Sequence, residues 1–110
     1  EVTSVAVVGD GGFMLGGLAE FNTAVRHGVD LIVVVVNDGS YGAEHRKLTE
    51  RGFDPGLSRF DWPSLAETAI ALGGEGITVV GSDGVEQVAE AVRDRRRPLL
   101  IDLQIDAASA

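Results

Sequence analysis

Two short polar segments of this sequence each follow a run of apolar residues. Residues 9–12 (Gly-Asp-Gly-Gly) follow the run at 4–8, and residues 37–39 (Asn-Asp-Gly) follow the run at 31–36. Glycines after a strand let backbone N–H groups approach a phosphate closely, and the N-terminus of a following helix favours an anion. Asp10 would repel a bare diphosphate, so its presence predicts a cation between the two. The residue types therefore indicate a metal-bridged phosphate site.

The second polar segment favours Mg²⁺ as that cation. Asn37 offers a side-chain carbonyl, and Gly39 can offer a backbone carbonyl from a tight turn. Together with the carboxylate of Asp10, these residues provide three protein oxygens. Mg²⁺ takes oxygen ligands in octahedral geometry and often bridges carboxylates to substrate phosphates. Two diphosphate oxygens and a water would complete the octahedron.

The elements that position these segments alternate between strand and helix. Apolar runs and their glycine, proline and turn boundaries predict strands at 4–8, 31–36, 77–80 and 99–105, and helices at about 15–27, 43–51, 61–72 and 83–92. This order predicts an α/β fold, a three-layer sandwich with a mainly parallel, doubly wound sheet of about four strands. Ligands bind at the carboxyl ends of the strands in such sheets, so both polar segments are expected at one edge.

Composition limits the classes of function. The 110 residues are enough for one domain, and we expect residues 1–110 to form a single domain. The absence of cysteine excludes disulfides and thiolate metal sites, and the net charge of −8 argues against binding to nucleic acid or anionic membranes. Since the sequence contains neither an apolar run of about 20 residues nor a secretory signal, a cytoplasmic location is expected.

The two polar segments together resemble the thiamine diphosphate-dependent enzymes, in which a GDG motif and a later asparagine pair bind Mg²⁺ and the diphosphate. Here about 27 positions separate Asp10 from Asn37, which matches the metal-binding asparagine of the pair. Val36 stands in place of the first asparagine of the family. The text of residues 9–13, 37–42 and 60–66 looks like the acetolactate synthase and benzoylformate decarboxylase branch.

The resemblance implies roles for individual residues. The implied metal ligands are Asp10, Asn37 and the carbonyl of Gly39. The implied cofactor-binding residues are Gly9, Asp10, Gly11, Gly12, Asn37, Gly39, Ser40 and Tyr41. The amides of Gly11 and Gly12 would contact the diphosphate, and Ser40 and Tyr41 would lie beside the diphosphate and the thiazolium. No catalytic residue is implied within this chain.

The resemblance also implies a lyase or transferase that cleaves or forms C–C bonds of 2-oxo acids and works as a homo-oligomer. In this family a glutamate on a separate pyrimidine-binding domain, usually of a partner subunit, activates the cofactor. We therefore expect this chain to be the core of a C-terminal thiamine diphosphate-binding domain, an N-terminally truncated fragment of a longer chain. Alone it would hold the diphosphate and Mg²⁺ but would not turn over. The first helix, which is poor in charge, is expected at a subunit interface.

Two other classes of function remain open at this point. A Rossmann-type dinucleotide-binding domain would use Gly9 and Gly11, although Met14 occupies the third glycine position, and Asp38 could be its ribose-binding acid. Asp10 weighs against this alternative, because it would face an unscreened pyrophosphate. The remaining class is a non-catalytic interaction domain that has kept the fold.

Several conspicuous residues are interpreted structurally. His27 and His45 are expected to be solvated or helix-end residues, with His45 the better candidate for the active site. The basic residues at 93–97 are interpreted as a solvated helix end, where cations suit the helix dipole. Trp62 is expected to pack at the edge of the core or at a subunit contact. Glu20 is given no role.

Overall fold

The computed structural model describes residues 2–39, 50–52, 61–82 and 84–105. Within them, strands β1 (Ser4–Gly9), β2 (Leu31–Asn37), β3 (Glu75–Val80) and β4 (Leu99–Gln104) form one sheet. The strand order is β1-β2-β4-β3, and all three pairings are parallel. The predicted parallel α/β sheet is therefore confirmed, and its last strand lies between the second and the third.

Three helices accompany the sheet. Helix α1 runs over residues 10–27 and has three parts: α-helical Asp10–Gly12, π-helical Phe13–Gly17 and α-helical Leu18–His27. It ends at Gly28, whose φ of +64° is the left-handed conformation that a glycine C-cap adopts readily. Helix α2 spans Leu65–Ala71 and helix α3 spans Val85–Asp94.

The helices cover both faces of the sheet, as the prediction of three layers requires. Helices α1 and α2 cover one face, where the buried core comprises Phe13, Phe21, Val33, Val35, Leu65, Ala69 and Leu100. Helix α3 packs on the other face, against Ile32, Val79, Leu99 and Ile101. Each such side chain contributes about 1.5–3 kcal/mol when it is fully buried, so these two layers hold the sheet rigid beneath its loops.

The helix starts differ from the predicted ones. Residues 9–12 were expected to form a loop before a helix beginning near Leu15, but β1 passes directly into the first turn of α1 at Asp10. Helix α2 begins at Leu65 rather than near residue 61, because the hydroxyl of Ser64 accepts the Glu67 N–H at 3.2 Å and caps it. The predicted helix at 43–51 lies almost entirely outside the described residues, as does Asp83, the first residue of the helix predicted at 83–92.

None of the helices in the described part of the chain has the length and apolar character needed to cross a membrane.

Candidate functional site at the carboxyl end of the sheet

Strand register brings the two polar segments together. Gly9 pairs with Val36 across the parallel β1–β2 ladder, so the next residues, Asp10 and Asn37, leave neighbouring strands at the same edge. Neighbouring strands lie about 4.8 Å apart. The expectation that both segments meet at one sheet edge is thus confirmed at the level of the backbone.

Asp10 is a buried carboxylate at the first position of α1. Its side chain is 1% exposed, and the indole Nε1–H of Trp62 donates a hydrogen bond to its Oδ2 at 2.5 Å. Neither ion pair among the described residues involves it. Because an isolated buried carboxylate is costly, a neutral indole donor leaves this position electrostatically suited to a cation. Trp62 does pack against the core, as expected, but its contact with Asp10 was not foreseen.

The start of α1 is open to an anion. The first N–H groups of a helix have no partner within it, and Gly9, at the N-cap, has no side chain to cap them. Gly9 (φ −79°) and Gly12 (φ −63°) have backbone conformations that any residue can adopt. A Cβ added at either position would meet nothing within 4 Å. Neither backbone strain nor packing within the described residues explains these glycines, which leave open space at the start of α1.

Asn37 is held at both ends of its amide. Its Nδ2 donates to Asp102 Oδ1 at 2.9 Å, and its Oδ1 accepts the N–H of Gly39 at 3.1 Å. Gly39 has φ +71°, a conformation that favours glycine and agrees with the predicted tight turn. Asn37 thereby presents a fixed carbonyl oxygen beside the end of β1.

Asp102, on β4, is the residue that sequence reasoning missed. It is fully buried, with 0% exposure, and Gln104 Nε2 lies 3.5 Å from its second oxygen. The sequence did contain a signal, because an acid interrupts the otherwise mostly apolar strand Leu99–Gln104. Burying a carboxylate costs free energy unless hydrogen bonds or a cation compensate it. Asp10 and Asp102 are the two buried charged residues in the described part of the chain.

The donor set fits a Mg²⁺ ion that is shared with a phosphate. Asp10, Asn37 and Gly39 offer carboxylate, amide and backbone oxygens, the hard ligands that Mg²⁺ takes. Among the described residues, no group of three acidic, histidine or cysteine side chains could hold a metal by itself. A site with one carboxylate depends on ligand oxygens to complete its coordination. Gly11, whose amide was predicted to contact the diphosphate, is buried in the first turn of α1, and Ser40 and Tyr41 lie outside the described residues.

The opposite, amino end of the sheet carries a different cluster. Arg95 Nε and Nη2 bond the two carboxylate oxygens of Asp30, each at 2.9 Å, and Nη1 bonds the Val92 carbonyl. The two bonds from Arg95 and a third from the Thr3 hydroxyl hold the pKa of the Asp30 carboxyl below its ordinary value, and the bonds to Asp30 raise the pKa of Arg95. The interpretation of residues 93–97 as a solvated helix end is wrong for Arg95, which ties α3 to the segment before β2.

Comparison with known proteins identifies the family of the chain. Residues 1–103 match the family model "Thiamine pyrophosphate enzyme, C-terminal TPP binding domain". Over 102 residues, 93% of the chain, it is 31% identical to the Mycobacterium tuberculosis protein named "Putative acetolactate synthase large subunit IlvB2", of which it covers 18%. The comparisons give no support to the dinucleotide-binding alternative.

Solved structures share the fold. A thiamine diphosphate-dependent 4-hydroxybenzoylformate decarboxylase from Rhodococcus jostii matches 96% of the chain with a TM-score of 0.80 and 20% identity. The benzoylformate decarboxylase from Polynucleobacter necessarius matches 96% of it with a TM-score of 0.79 and 19% identity. The chain covers 20% of each structure, so it spans about a fifth of the length of these relatives. By sequence and by fold, the chain belongs to the thiamine pyrophosphate enzymes and corresponds to their C-terminal TPP-binding domain.

Proposed function

We propose that this chain binds the diphosphate of thiamine diphosphate through Mg²⁺ at the carboxyl ends of β1 and β2. In the proposal Asp10, Asn37 and the carbonyl of Gly39 ligate the metal, and the amides of Gly11 and Gly12 bind the diphosphate. Gly9 leaves room for that group, and Ser40 and Tyr41 flank it. The domain serves an enzyme that cleaves or forms C–C bonds of 2-oxo acids, a lyase or a transferase.

The observation that carries the proposal is the burial of Asp10 at the start of α1. This carboxylate is 1% exposed, accepts a hydrogen bond from a neutral indole and lies at a helix N-terminus. The position therefore favours an anion and a cation at the same time. The free N–H groups of the first turn attract an anion, while Asp10 attracts a cation. A metal–diphosphate pair would satisfy both, because Asp10 would hold the metal and the first N–H groups of α1 would hold the diphosphate.

Each part of the site has a separate task in this proposal. When bound, thiamine diphosphate would supply a nucleophilic carbon for chemistry on a 2-oxo acid. The residues of this chain hold the diphosphate end, orient it against the helix start and exclude water from Asp10. The resemblance to the family implies no catalytic residue within this chain. We therefore propose that a pyrimidine-binding domain, usually from a partner subunit of a homo-oligomer, completes the active site.

Calorimetric titration of the full-length protein with thiamine diphosphate, with and without Mg²⁺, tests the proposal. We expect binding that depends on Mg²⁺, and we expect Asp10→Asn to weaken it by more than about 100-fold, since replacing a ligand costs more than replacing a residue that supports one. The matched control is Asp30→Asn, the same substitution at the amino end of the sheet, which should leave the affinity unchanged.

The outcomes separate the competing functions. Equal binding with and without Mg²⁺ would contradict the assignment of Asp10 and Asn37. Tighter binding of a nicotinamide dinucleotide, unaffected by metal, would favour the dinucleotide-binding alternative over this one.

A further inference from the structure

We propose that Asp102 is the positioning residue of the metal site: through its hydrogen bond to Asn37 it fixes which end of that amide faces the metal. This inference rests on the proposed function and adds to it a residue on a third strand. Asp102 touches neither metal nor diphosphate in the proposal. It acts only through Asn37.

The position of Asp102 is unusual for an acid. It pairs with Val35 on β2 and Thr78 on β3, in the middle of the sheet, and it has 0% exposure. The described ion pairs, Arg93–Asp94 and Arg95–Asp30, do not include it. Its hydrogen bonds come from two neutral amides, Asn37 Nδ2 at 2.9 Å and Gln104 Nε2 at 3.5 Å. A buried carboxylate that serves packing alone would be replaceable by an apolar residue of similar size.

The chemistry of the bond sets the orientation of Asn37. Asp102 Oδ1 accepts the hydrogen bond from Asn37 Nδ2, so the NH₂ group of Asn37 faces Asp102 and its carbonyl oxygen points away. At that oxygen the Gly39 N–H occupies one lone-pair direction, at 3.1 Å, and the other stays available to a cation. If Asp102 is removed, the amide can flip and turn its NH₂ group toward the metal, which cannot ligate it.

The strand order explains why this residue is on β4. Asp10 follows β1, Asn37 ends β2 and Asp102 lies on β4, and these three strands are consecutive in the sheet. Asn37 pairs in register with Gln104, two residues beyond Asp102, so β4 lies beside β2 as far as the end of that strand. The carboxylate therefore supports the amide from the sheet interior, in the way that outer-shell groups orient metal ligands elsewhere.

Two substitutions separate orientation from charge. Asp102→Leu removes the acceptor, and we expect it to raise the Mg²⁺ concentration for half-maximal thiamine diphosphate binding by about 10–100-fold. Asp102→Asn keeps an acceptor oxygen for Asn37 without the charge, and we expect it to stay within about threefold of the wild-type protein, a conservative rescue. Thr78→Val, a polar-to-apolar change beside Asp102, is the matched control and should leave the Mg²⁺ requirement unchanged.

A double-mutant cycle checks that Asp102 acts through Asn37. In an Asn37→Ala background the Asp102→Leu change should add less than about threefold to the Mg²⁺ requirement, because the amide that it orients is gone. Full additivity would overturn the inference. It would also be overturned if Leu and Asn at position 102 weakened Mg²⁺ binding equally, or if neither did. If Asp102→Leu fails to fold, Asp102→Ala, which also removes the acceptor, replaces it in the same cycle and is judged by the same outcomes.

Failure of this inference is distinguishable from failure of the proposed function. If the wild-type protein binds thiamine diphosphate without Mg²⁺, both are overturned. If the wild-type protein requires Mg²⁺ and Asp102→Leu has the same requirement, only the role of Asp102 is overturned.

Discussion

The two ends of the sheet differ in how their charged side chains are buried and paired. At the amino end, Arg95 and Asp30 have side chains that are 19% and 41% exposed, and they pair with each other through two hydrogen bonds. At the carboxyl end, Asp10 and Asp102 are 1% and 0% exposed, and their described partners are neutral N–H groups. The two ends therefore differ in pairing: the charges at the amino end are paired with each other, whereas the buried carboxylates at the carboxyl end take part in neither described ion pair.

The strongest test of this difference changes a glycine at the carboxyl end. Gly12→Ala should lower the affinity for thiamine diphosphate with Mg²⁺ by about 10–100-fold, since an extra methyl group in a close contact costs about 1–3 kcal/mol. The free energy of unfolding should stay equal or rise by about 0.5–1 kcal/mol, because alanine is the better helix former. Titration calorimetry and urea denaturation of the same samples measure both quantities.

Gly16→Ala provides the control for that change. Gly16 lies further along α1, and a Cβ there also meets nothing within 4 Å. The affinity of Gly16→Ala for thiamine diphosphate with Mg²⁺ should equal that of the wild-type protein. If Gly12→Ala binds as tightly as Gly16→Ala, the open space at the start of α1 is not the diphosphate site.

A smaller effect on cofactor binding is expected from Trp62, which contacts Asp10 from outside the sheet. Trp62→Phe keeps the aromatic ring and removes the N–H that Asp10 accepts. We expect the Mg²⁺ concentration for half-maximal cofactor binding to rise about tenfold, as for other residues that orient a metal ligand. An unchanged Mg²⁺ requirement, with an unchanged melting temperature, would show that the indole serves packing alone.

The smallest effect belongs to the amino end. Arg95→Met should leave cofactor affinity unchanged and should lower stability slightly, because exposed ion pairs contribute little. The lowered pKa of Asp30 fixes the pH dependence: the pair stabilises the fold above the ordinary aspartate pKa of about 3.9, and this contribution is lost as the pH falls through the lowered value. Urea denaturation from about pH 7 to about pH 3 should therefore show the two proteins converging at low pH. If Arg95→Met loses cofactor binding instead, the amino end of the sheet also contributes to binding, and the proposed difference between the two ends is wrong.

Residues close in sequence to a strand end were predictable, and their partners were not. The apolar runs and the turns after them place Asp10 and Asn37 at one edge, because parallel strands share a direction. The contact of Asn37 with Asp102 spans 65 positions, and that of Trp62 with Asp10 spans 52. Both depend on tertiary packing, the first on β4 inserting between β2 and β3. Hydrophobic periodicity predicts which segments form strands, but it does not predict their order in the sheet.

The start of α1 escaped prediction for a local reason. Glycine is a poor helix former, so residues 9–12 were interpreted as a loop. In the structure, Gly11 and Gly12 extend the helix to Asp10. The tertiary structure overrides the low helix propensity of these glycines. The helix therefore begins at Asp10, at the proposed ligand site.

The π-helical turn of α1 gives this helix an adjustable length. The Leu18 N–H bonds the Phe13 carbonyl, five residues back, and a Cβ at Gly17 would lie 2.4 Å from the Phe13 ring. Such a turn holds one residue more than an α-helical turn, so a single insertion or deletion can be absorbed between residues 13 and 17. Asp10 before the turn and Phe21 after it then keep their places at the edge and in the core. The parts of the helix before and after this turn can in this way change in sequence independently of each other.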